Sequence, residues 1–578
     1  MLKLTKVNGG TVKVTMSQSP HPSPLYVYKT DDAASKVDCL CLGTGRFLRN
    51  VLVPVLNSAG FYPALIQTRG TSFLNYMMKQ QQQQQEQEQQ PQQQQTPTTE
   101  AFYKVDTVLA SGDVITNKVA CYGAFTLANA ESRAATWDFV ASLKHDVLII
   151  GVGVTEAGLA SPESGAMKDL MELLRVLLSK RNKTNLDNNN KNNTKKTEKI
   201  CVLDMDNVSD NGDVIMAHLR SIASKEIQND NGDNQMLAFL NDSVVCLNTM
   251  VDRITSFRPE DPNVPRAEPL PAKALVILDP DCNLPTAFRV AKLEGVHVRS
   301  CRKQLDADLG LKLRVANGTH TAVAHAMALQ GMLTTDVLGT DTFRELWMES
   351  YLESLVQDQI LAASPYGAEE SKACWDDWKS RLAHAHFGLS TFFITQNGAA
   401  KAGIRWSGTV LDLVMLHKPI TVAMAFAYAT LIRWLIPQQH DGNGVFRGWL
   451  DGAKMVDNFT GGTVYADGMR YNLDAGWYEF KCASEWRGKP FSEIWMDLSR
   501  RDPPAFRESI KNYLLAPSGG NLIALTDTEE LVALAGGIAI LVARMVSGET
   551  VCDVMTEIHL KRGVYINGFS TPVASLVN

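Results

Sequence analysis

Lys312, Asn317 and His320 stand close together in a mostly apolar stretch, Lys312-Leu313-Arg314-Val315-Ala316-Asn317-Gly318-Thr319-His320. On an α-helix Lys312 and His320 would lie two turns apart, with Asn317 between them in a narrow arc. An amine, an amide and an imidazole on one apolar surface are costly unless paired or put to use. A desolvated lysine has its pKa drawn towards neutrality and can then act as a general base. From the pattern alone, a solvated helix face explains the same three residues equally well.

A second candidate is Gly43-Thr44-Gly45-Arg46-Phe47-Leu48-Arg49. Two glycines between a strand and a helix permit a tight turn and close approach to a pyrophosphate, which the helix N-terminus stabilises. An ordinary strand–helix turn is the competing reading. The third glycine of the usual dinucleotide fingerprint is missing, and Leu48 stands in its place. About 20 residues on, where an acid usually holds a ribose, the sequence reads Gln67-Thr68-Arg69-Gly70. Arg69 can accept a 2′-phosphate, which leaves NADP open beside NAD; it also reads as a solvated loop arginine.

The elements that must position these residues follow from the hydrophobic pattern. Short apolar runs at Val37–Leu42, Ala64–Gln67, Val147–Val152, Ile200–Leu203, Val244–Leu247 and Ala274–Leu278 read as strands. Helical stretches lie between several of them: Arg46 to about Ala59, Ala166–Leu178 and Val214–Lys225. Strands alternating with helices predict a doubly wound, Rossmann-type α/β domain. Beyond about residue 300 the pattern is mainly helical, with strand character only around Tyr465–Phe480, read as an added hairpin. The expected division is an N-terminal extension (1–36), a dinucleotide-binding domain (37–300) and a mainly α-helical C-terminal domain (301–578). A glutamine tract and an Asn/Lys/Thr-rich stretch bury too little apolar surface to order themselves, so insertions at 80–100 and 182–199 are expected to be disordered.

Composition narrows the function classes. The chain has 578 residues, is 45% hydrophobic, and sets 56 Lys+Arg against 62 Asp+Glu for a net charge of −6. With no sustained basic stretch, binding to a nucleic-acid backbone is not expected. Ten scattered cysteines read as reduced thiols rather than a disulfide framework. The apolar runs Ile420–Ile432 and Leu531–Ala543 fall below the ~18–20 residues of a membrane span and read as buried helices. The first thirty residues carry lysines, no acid and no arginine, a poor organelle leader. A cytoplasmic protein without a membrane or nucleic-acid partner, monomeric or a small homo-oligomer, is expected.

Taken in order, the motifs resemble the polyol-specific long-chain dehydrogenase/reductase family, the mannitol dehydrogenase group, which includes mannitol-1-phosphate dehydrogenases and hexuronate reductases. Gly43–Arg49 is similar to its Gly-x-Gly-x-Phe-x-Arg turn, with the Phe-Leu-Arg form nearest to tagaturonate reductase. Val154-Thr155-Glu156-Ala157-Gly158, Asp206-Asn207 with Asn211-Gly212, and Asn248-Thr249-Met250-Val251-Asp252-Arg253-Ile254-Thr255 resemble further family segments. Lys312, Asn317 and His320 match the catalytic Lys-x4-Asn-x2-His.

The resemblance implies that Lys312 is the general base of alcohol oxidation and the acid of ketone reduction. Asn207 and Asn317 would flank the reacting oxygen, His320 would orient a substrate hydroxyl, and Asp252 would sit near nicotinamide and substrate. Gly43, Gly45, Phe47 and Arg49 would belong to the cofactor turn. Glu156 would serve a proton path, with a helix-capping carboxylate as its alternative. Lysine does the proton work, so no metal is expected. Beyond His320, Asn397-Gly398-Ala399-Ala400-Lys401 and Arg405 resemble the segment that meets the substrate's far end. Polyol 2-dehydrogenases have an arginine eight residues before that lysine, where this chain has Phe393. Lys401 and Arg405 would suit an anionic tail, phosphate or carboxylate; as residues they also read as surface cations.

The sequence therefore predicts an NAD- or NADP-dependent oxidoreductase acting on a small sugar or polyol. Fructose 6-phosphate with mannitol 1-phosphate is the leading pair; hexuronate reductase, mannitol 2-dehydrogenase and a silent dinucleotide sensor are the alternatives. His384 and His386 form an alternating pair that packing explains as well as a site does. Cys39 and Cys41, on one face of a strand, and Trp477 and Tyr478 read as core.

Overall fold

A computed structural model describes residues 2–6, 12–16, 25–27, 35–88, 101–154, 156–188, 198–206, 208–228, 234–396, 398–436, 439–440, 445–451, 462–464, 470–481 and 503–560. The chain divides into two compact units. The first holds Met1–Thr107 and Val114–Leu305, the second Val108–Asp113 and Asp306–Asn578.

The first unit is built on a seven-stranded sheet. Its strands are Leu25–Val27 (β1), Cys39–Leu42 (β2), Pro63–Gln67 (β3), Gly123–Thr126 (β4), Ile149–Val152 (β5), Ile200–Asp204 (β6) and Val244–Leu247 (β7). In space they run β7-β6-β5-β2-β3-β4-β1, all parallel except β1, which pairs antiparallel with β4. Setting β1 aside, this is the doubly wound order of the Rossmann fold, and it reverses between β2 and β5. Every residue of β2, β3, β5 and β6 is buried, so these strands read as unbroken apolar runs.

Helices cover both faces: Val53–Ser58 (α1), Ser72–Glu88 (α2), Ala130–Ser142 (α3), Gly165–Asn188 (α4) and Asn211–Gln228 (α5). The strand expected at Ala274–Leu278 forms as Leu275–Leu278. It lies in a separate three-stranded sheet between Thr249–Val251 and Val296–Arg299. A four-stranded sheet of Thr255–Arg258, Asp261–Ala267, Phe102–Val108 and Val114–Ala120 was not predicted.

The low-complexity stretches differ from expectation at their starts. Helix α2 runs into the glutamine tract as far as Glu88, and α4 into the Asn-rich stretch as far as Asn188. Residues 80–88 and 182–188 are therefore helical, while 89–100 and 189–197 lie outside the described residues. Phe73, Leu74, Tyr76 and Met77 anchor the first turns of α2 in the core. Once nucleated, a helix extends through glutamine at small cost per residue.

The second unit is mainly helical. Gly318–Leu329 (α6), Gly398–Arg405 (α7), Val422–Leu435 (α8) and Glu529–Val546 (α9) include its central elements. Every residue of α8 is buried, as expected of a helix apolar all round. Among the described residues no helix is long and apolar enough to cross a membrane. In place of the expected hairpin there is a five-stranded antiparallel sheet, in which Val445–Trp449 pairs with Trp477–Lys481 and that strand with Arg470–Asn472. Trp477 and Tyr478 are core: Tyr478 stacks on Trp434 at 3.8 Å and donates to its carbonyl.

Candidate functional site

In the first unit the glycine turn leaves β2 where the strand order reverses. Gly43 adopts φ +121°, a conformation open to glycine, and its N–H donates to Ile66 O at 2.8 Å. Gly153, leaving β5, donates to Leu42 O at 3.0 Å. Gly45 and Gly153 are both exposed, and a Cβ on Gly45 would meet nothing within 4 Å. Exposed glycines in the turns at the C-terminal ends of two adjacent strands fit close approach by the pyrophosphate of a dinucleotide.

Leu48 explains the missing third glycine. A Cβ on Gly153 would come within 2.8 Å of Leu48 Cδ1, and one on Gly151 within 3.0 Å of Leu48 Cδ2. The space that the fingerprint usually clears on the helix is cleared here on strand β5 and its exit turn. Leu48–Leu52 is also a wide π-helical turn, which continues directly into α1.

Arg49 is buried and spends its guanidinium inside the protein. It donates to Thr44 O at 2.8 Å and Asn263 O at 2.5 Å, and lies over the Phe73 ring. It braces the turn. Phe47 is half-buried against the same core, and Arg46 donates to Thr255 O at 2.9 Å. At the end of β3, Gln67 is buried: its Oε1 accepts from Phe73 N–H at 3.0 Å and its Nε2 donates to Ser72 Oγ at 3.1 Å. Arg69 is exposed.

The remaining motifs of this unit lock onto one another. Asn248 accepts from Asp213 N–H at 3.1 Å and donates to Asp213 Oδ2 at 2.8 Å. Asn211 accepts from Thr249 N–H at 2.9 Å and donates to Thr249 Oγ1 at 2.9 Å. Gly212 lies so close to Leu247 and Asn248 that a Cβ would reach the Asn248 nitrogen at 2.7 Å. Arg253 donates to Asn50 O at 2.6 Å, tying this segment to the glycine-turn helix. Asp252 is half-buried and donates its N–H to Ala274 O at 3.0 Å. Glu156 opens the short helix Glu156–Leu159; its side chain, like Asn207, lies outside the described residues.

Asp204, at the end of β6, was not singled out from sequence. It is fully buried, accepts from Val154 N–H at 3.3 Å, and leaves Oδ2 without a hydrogen-bond partner. Burial, with Asp206 nearby, pushes its pKa up to about 8.

In the second unit Lys312 and Asn317 belong to a π-helical turn, Lys312–Asn317, between the α-helix Arg302–Leu311 and α6. This corrects the α-helical spacing. Bonding i to i+5 brings residues five apart back to one side of the helix, so Lys312 and Asn317 lie one above the other. Side chains take carbonyls in and just after this turn. Thr319 Oγ1 donates to Val315 O at 2.6 Å, Arg405 to Asn317 O at 3.3 Å, and Trp406 Nε1 to Gly318 O at 3.0 Å.

Lys312 is buried. His320 Nε2 accepts from Arg405 Nη1 at 2.9 Å, which places the proton of a neutral ring on Nδ1. That Nδ1 is buried and lacks a hydrogen-bond partner. Burial, then the charges of Arg405, Lys401 and Lys312, hold the His320 pKa well below its usual value. Arg405 also donates to Thr321 Oγ1, and Lys401 to Ile394 O. Burial brings Arg405 down to about 10, and burial with Arg405 beside it brings Lys401 down to about 7. Neither cation forms an ion pair among the described residues, whereas neighbouring Arg314 pairs with Asp412 at 2.5 Å. The structure thus brings together Lys312, Asn317, His320, Lys401 and Arg405.

Of the alternating histidines, His384 is buried and His386 exposed. His384 donates to Val108 O at 3.2 Å and accepts from His386 N–H at 3.2 Å, so both ring nitrogens are used. Phe393 is 58% exposed on the helix Thr391–Thr395. Among the described residues no group of three or more His, Cys, Asp or Glu could hold a metal ion.

Two solved structures share this architecture. A D-sorbitol dehydrogenase in substrate-free form is 14% identical, with a TM-score of 0.60 over 92% of this chain and 98% of that one. The Pseudomonas fluorescens mannitol 2-dehydrogenase, solved as a ternary complex with NAD and D-mannitol, is also 14% identical. Its TM-score is 0.57, covering 93% of this chain and 98% of that one. The fold is theirs. No family model matches the sequence, and no curated protein matches it.

Proposed function

We propose that this chain is a nicotinamide-dinucleotide-dependent oxidoreductase that interconverts a ketose and a linear polyol. The two solved structures of the same fold are a sorbitol and a mannitol dehydrogenase, which supports this class of substrate. The observation that carries the reading is the cluster of buried Lys312 with half-buried Asn317 and His320 beside Lys401 and Arg405.

When bound, the dinucleotide supplies the hydride acceptor or donor. The chain's own residues do the rest. Lys312 takes the hydroxyl proton in oxidation and returns it in reduction. Asn317 and Asn207 donate to the oxygen as its negative charge develops, each typically worth about 2.7–4 kcal/mol at such a position. Neutral His320 presents Nδ1–H to a substrate hydroxyl; Asp252 and Glu156 take the substrate-side and proton-path roles that the family resemblance gives them.

Lys401 and Arg405, half-buried and without an ion pair among the described residues, favour a substrate with an anionic end. Fructose 6-phosphate with mannitol 1-phosphate is the preferred pair. A hexuronate is the second reading, since its carboxylate would satisfy the same cations and Phe393 replaces an arginine of the neutral-polyol enzymes.

The test follows NADH and NADPH absorbance with fructose 6-phosphate, fructose, tagaturonate and fructuronate in parallel. Oxidation with the phosphate ester is expected. Turnover with a uronate alone would move the chain to the hexuronate reductases, and silence with all four would overturn an enzymatic role. Lys312→Ala should lower turnover by about 10²–10⁴-fold, the usual size of general acid–base catalysis, while dinucleotide binding persists. Normal turnover in that variant would remove Lys312 from the reaction.

A further inference from the structure

We infer that the dinucleotide this chain prefers carries a 2′-phosphate, and that Arg69 selects it. The inference rests on the dinucleotide reading above and deepens it. In a doubly wound sheet of this order the adenosine ribose lies at the end of the second strand, here β3. NAD is normally held there by a carboxylate that accepts from the ribose hydroxyls, and the same carboxylate repels a 2′-phosphate. From Pro63 to Ser72 this chain has no acid at all.

The residue standing at the end of β3 cannot substitute. Gln67 is 7% exposed, and both ends of its carboxamide are committed, to Phe73 N–H and to Ser72 Oγ. A 2′-hydroxyl therefore meets a buried neutral amide in Gln67 and not a carboxylate. Arg69, two residues on, is exposed and enters no ion pair among the described residues. Asp169, whose carboxyl feels the charge of Arg69, is bonded at 2.7 Å to Arg133 instead.

The turn that carries Arg69 is fixed. Gly70 takes φ +67°, and its carbonyl accepts from Thr126 Oγ1 of β4 at 2.5 Å. A guanidinium held on such a turn, in no ion pair among the described residues, suits the bidentate geometry of a phosphate monoester. The chain would then differ from the mannitol 2-dehydrogenase of the same fold, whose complex contains NAD.

Fluorescence titration of the full-length protein with NADPH and NADH tests this without relying on turnover. Wild type should bind NADPH at least about tenfold more tightly than NADH, the scale of one charge-assisted contact. Arg69→Gln should weaken NADPH by about 10–100-fold and bring the ratio of the two dissociation constants close to one. Since Arg69 is exposed, the variant should keep its melting temperature, which is measured alongside. Competition by 2′,5′-ADP but not by 5′-AMP gives the same reading on the adenosine half alone. Equal or tighter binding of NADH by wild type, or unchanged NADPH binding by the variant, would overturn the inference and leave the dinucleotide reading standing. Binding of neither dinucleotide would overturn both.

Discussion

Lys401 is an amine on α7 whose pKa burial and the adjacent Arg405 lower to about 7, so it titrates near neutrality. Below that pH it is charged; above it the free protein holds it neutral. An anion prefers the charged form, so binding above pH 7 must take up a proton, and affinity then falls as pH rises, by at most about tenfold per unit. The KM for a phosphate-bearing ketose should climb from about pH 7 upward, starting at the pKa of the free amine. The KM for fructose, which has no charge, should show no such break. Lys401→Arg should flatten the profile, because arginine stays charged throughout. A KM for the phosphate ester that ignores pH in the wild type would remove Lys401 from the anion-binding group. Its type and position were legible in the sequence; its partial burial beside Arg405 was not, because α7 is short and nothing local shows what covers it.

At the scale of elements, the sequence shows the order of strands and helices far better than the shape of the turns between them. Unbroken runs such as Ile149–Val152 announce a strand buried on both faces. The π-turns at Leu48–Leu52 and Lys312–Asn317 have no such signature. At the end of the second, the carbonyls of Asn317 and Gly318 are taken by Arg405 and Trp406, which lie more than eighty residues further along the chain. Leu48 shows the same limit. From sequence it is the loss of a fingerprint glycine, yet in space it fills room left by Gly151 and Gly153. Leu48→Ala should therefore destabilise the protein by about 2–5 kcal/mol, as a buried leucine truncation does, in chemical denaturation. Restoring the fingerprint with Leu48→Gly should be at least as damaging, since helix propensity is lost as well. A neutral or stabilising effect of either change would show that Leu48 is a tolerated departure and not a compensating one.

At the scale of the whole molecule, the sheets that escaped the sequence reading have physical reasons to do so. Val114–Ala120 is exposed along most of its length and lacks an apolar run. Asp261–Ala267 contains Pro262 and Pro265, which read as a loop. What the sequence did show was the division of labour: glycine turns and buried parallel strands early, a helical unit with the lysine, amide and imidazole later. The net charge of −6 hides this division, because the cations near His320 form a local group in a chain that is acidic overall. Hydrogen exchange on the full chain separates the two halves directly, since a ligand protects the amides it orders. NADPH alone should slow exchange in the first unit, at residues 43–49, 67–72 and 151–159. Mannitol 1-phosphate added to that complex should slow exchange in the second unit, at 312–325 and 398–405, where Lys312, His320, Lys401 and Arg405 stand. Protection by the sugar phosphate that fell elsewhere would separate this cation cluster from substrate binding, whatever the dinucleotide does.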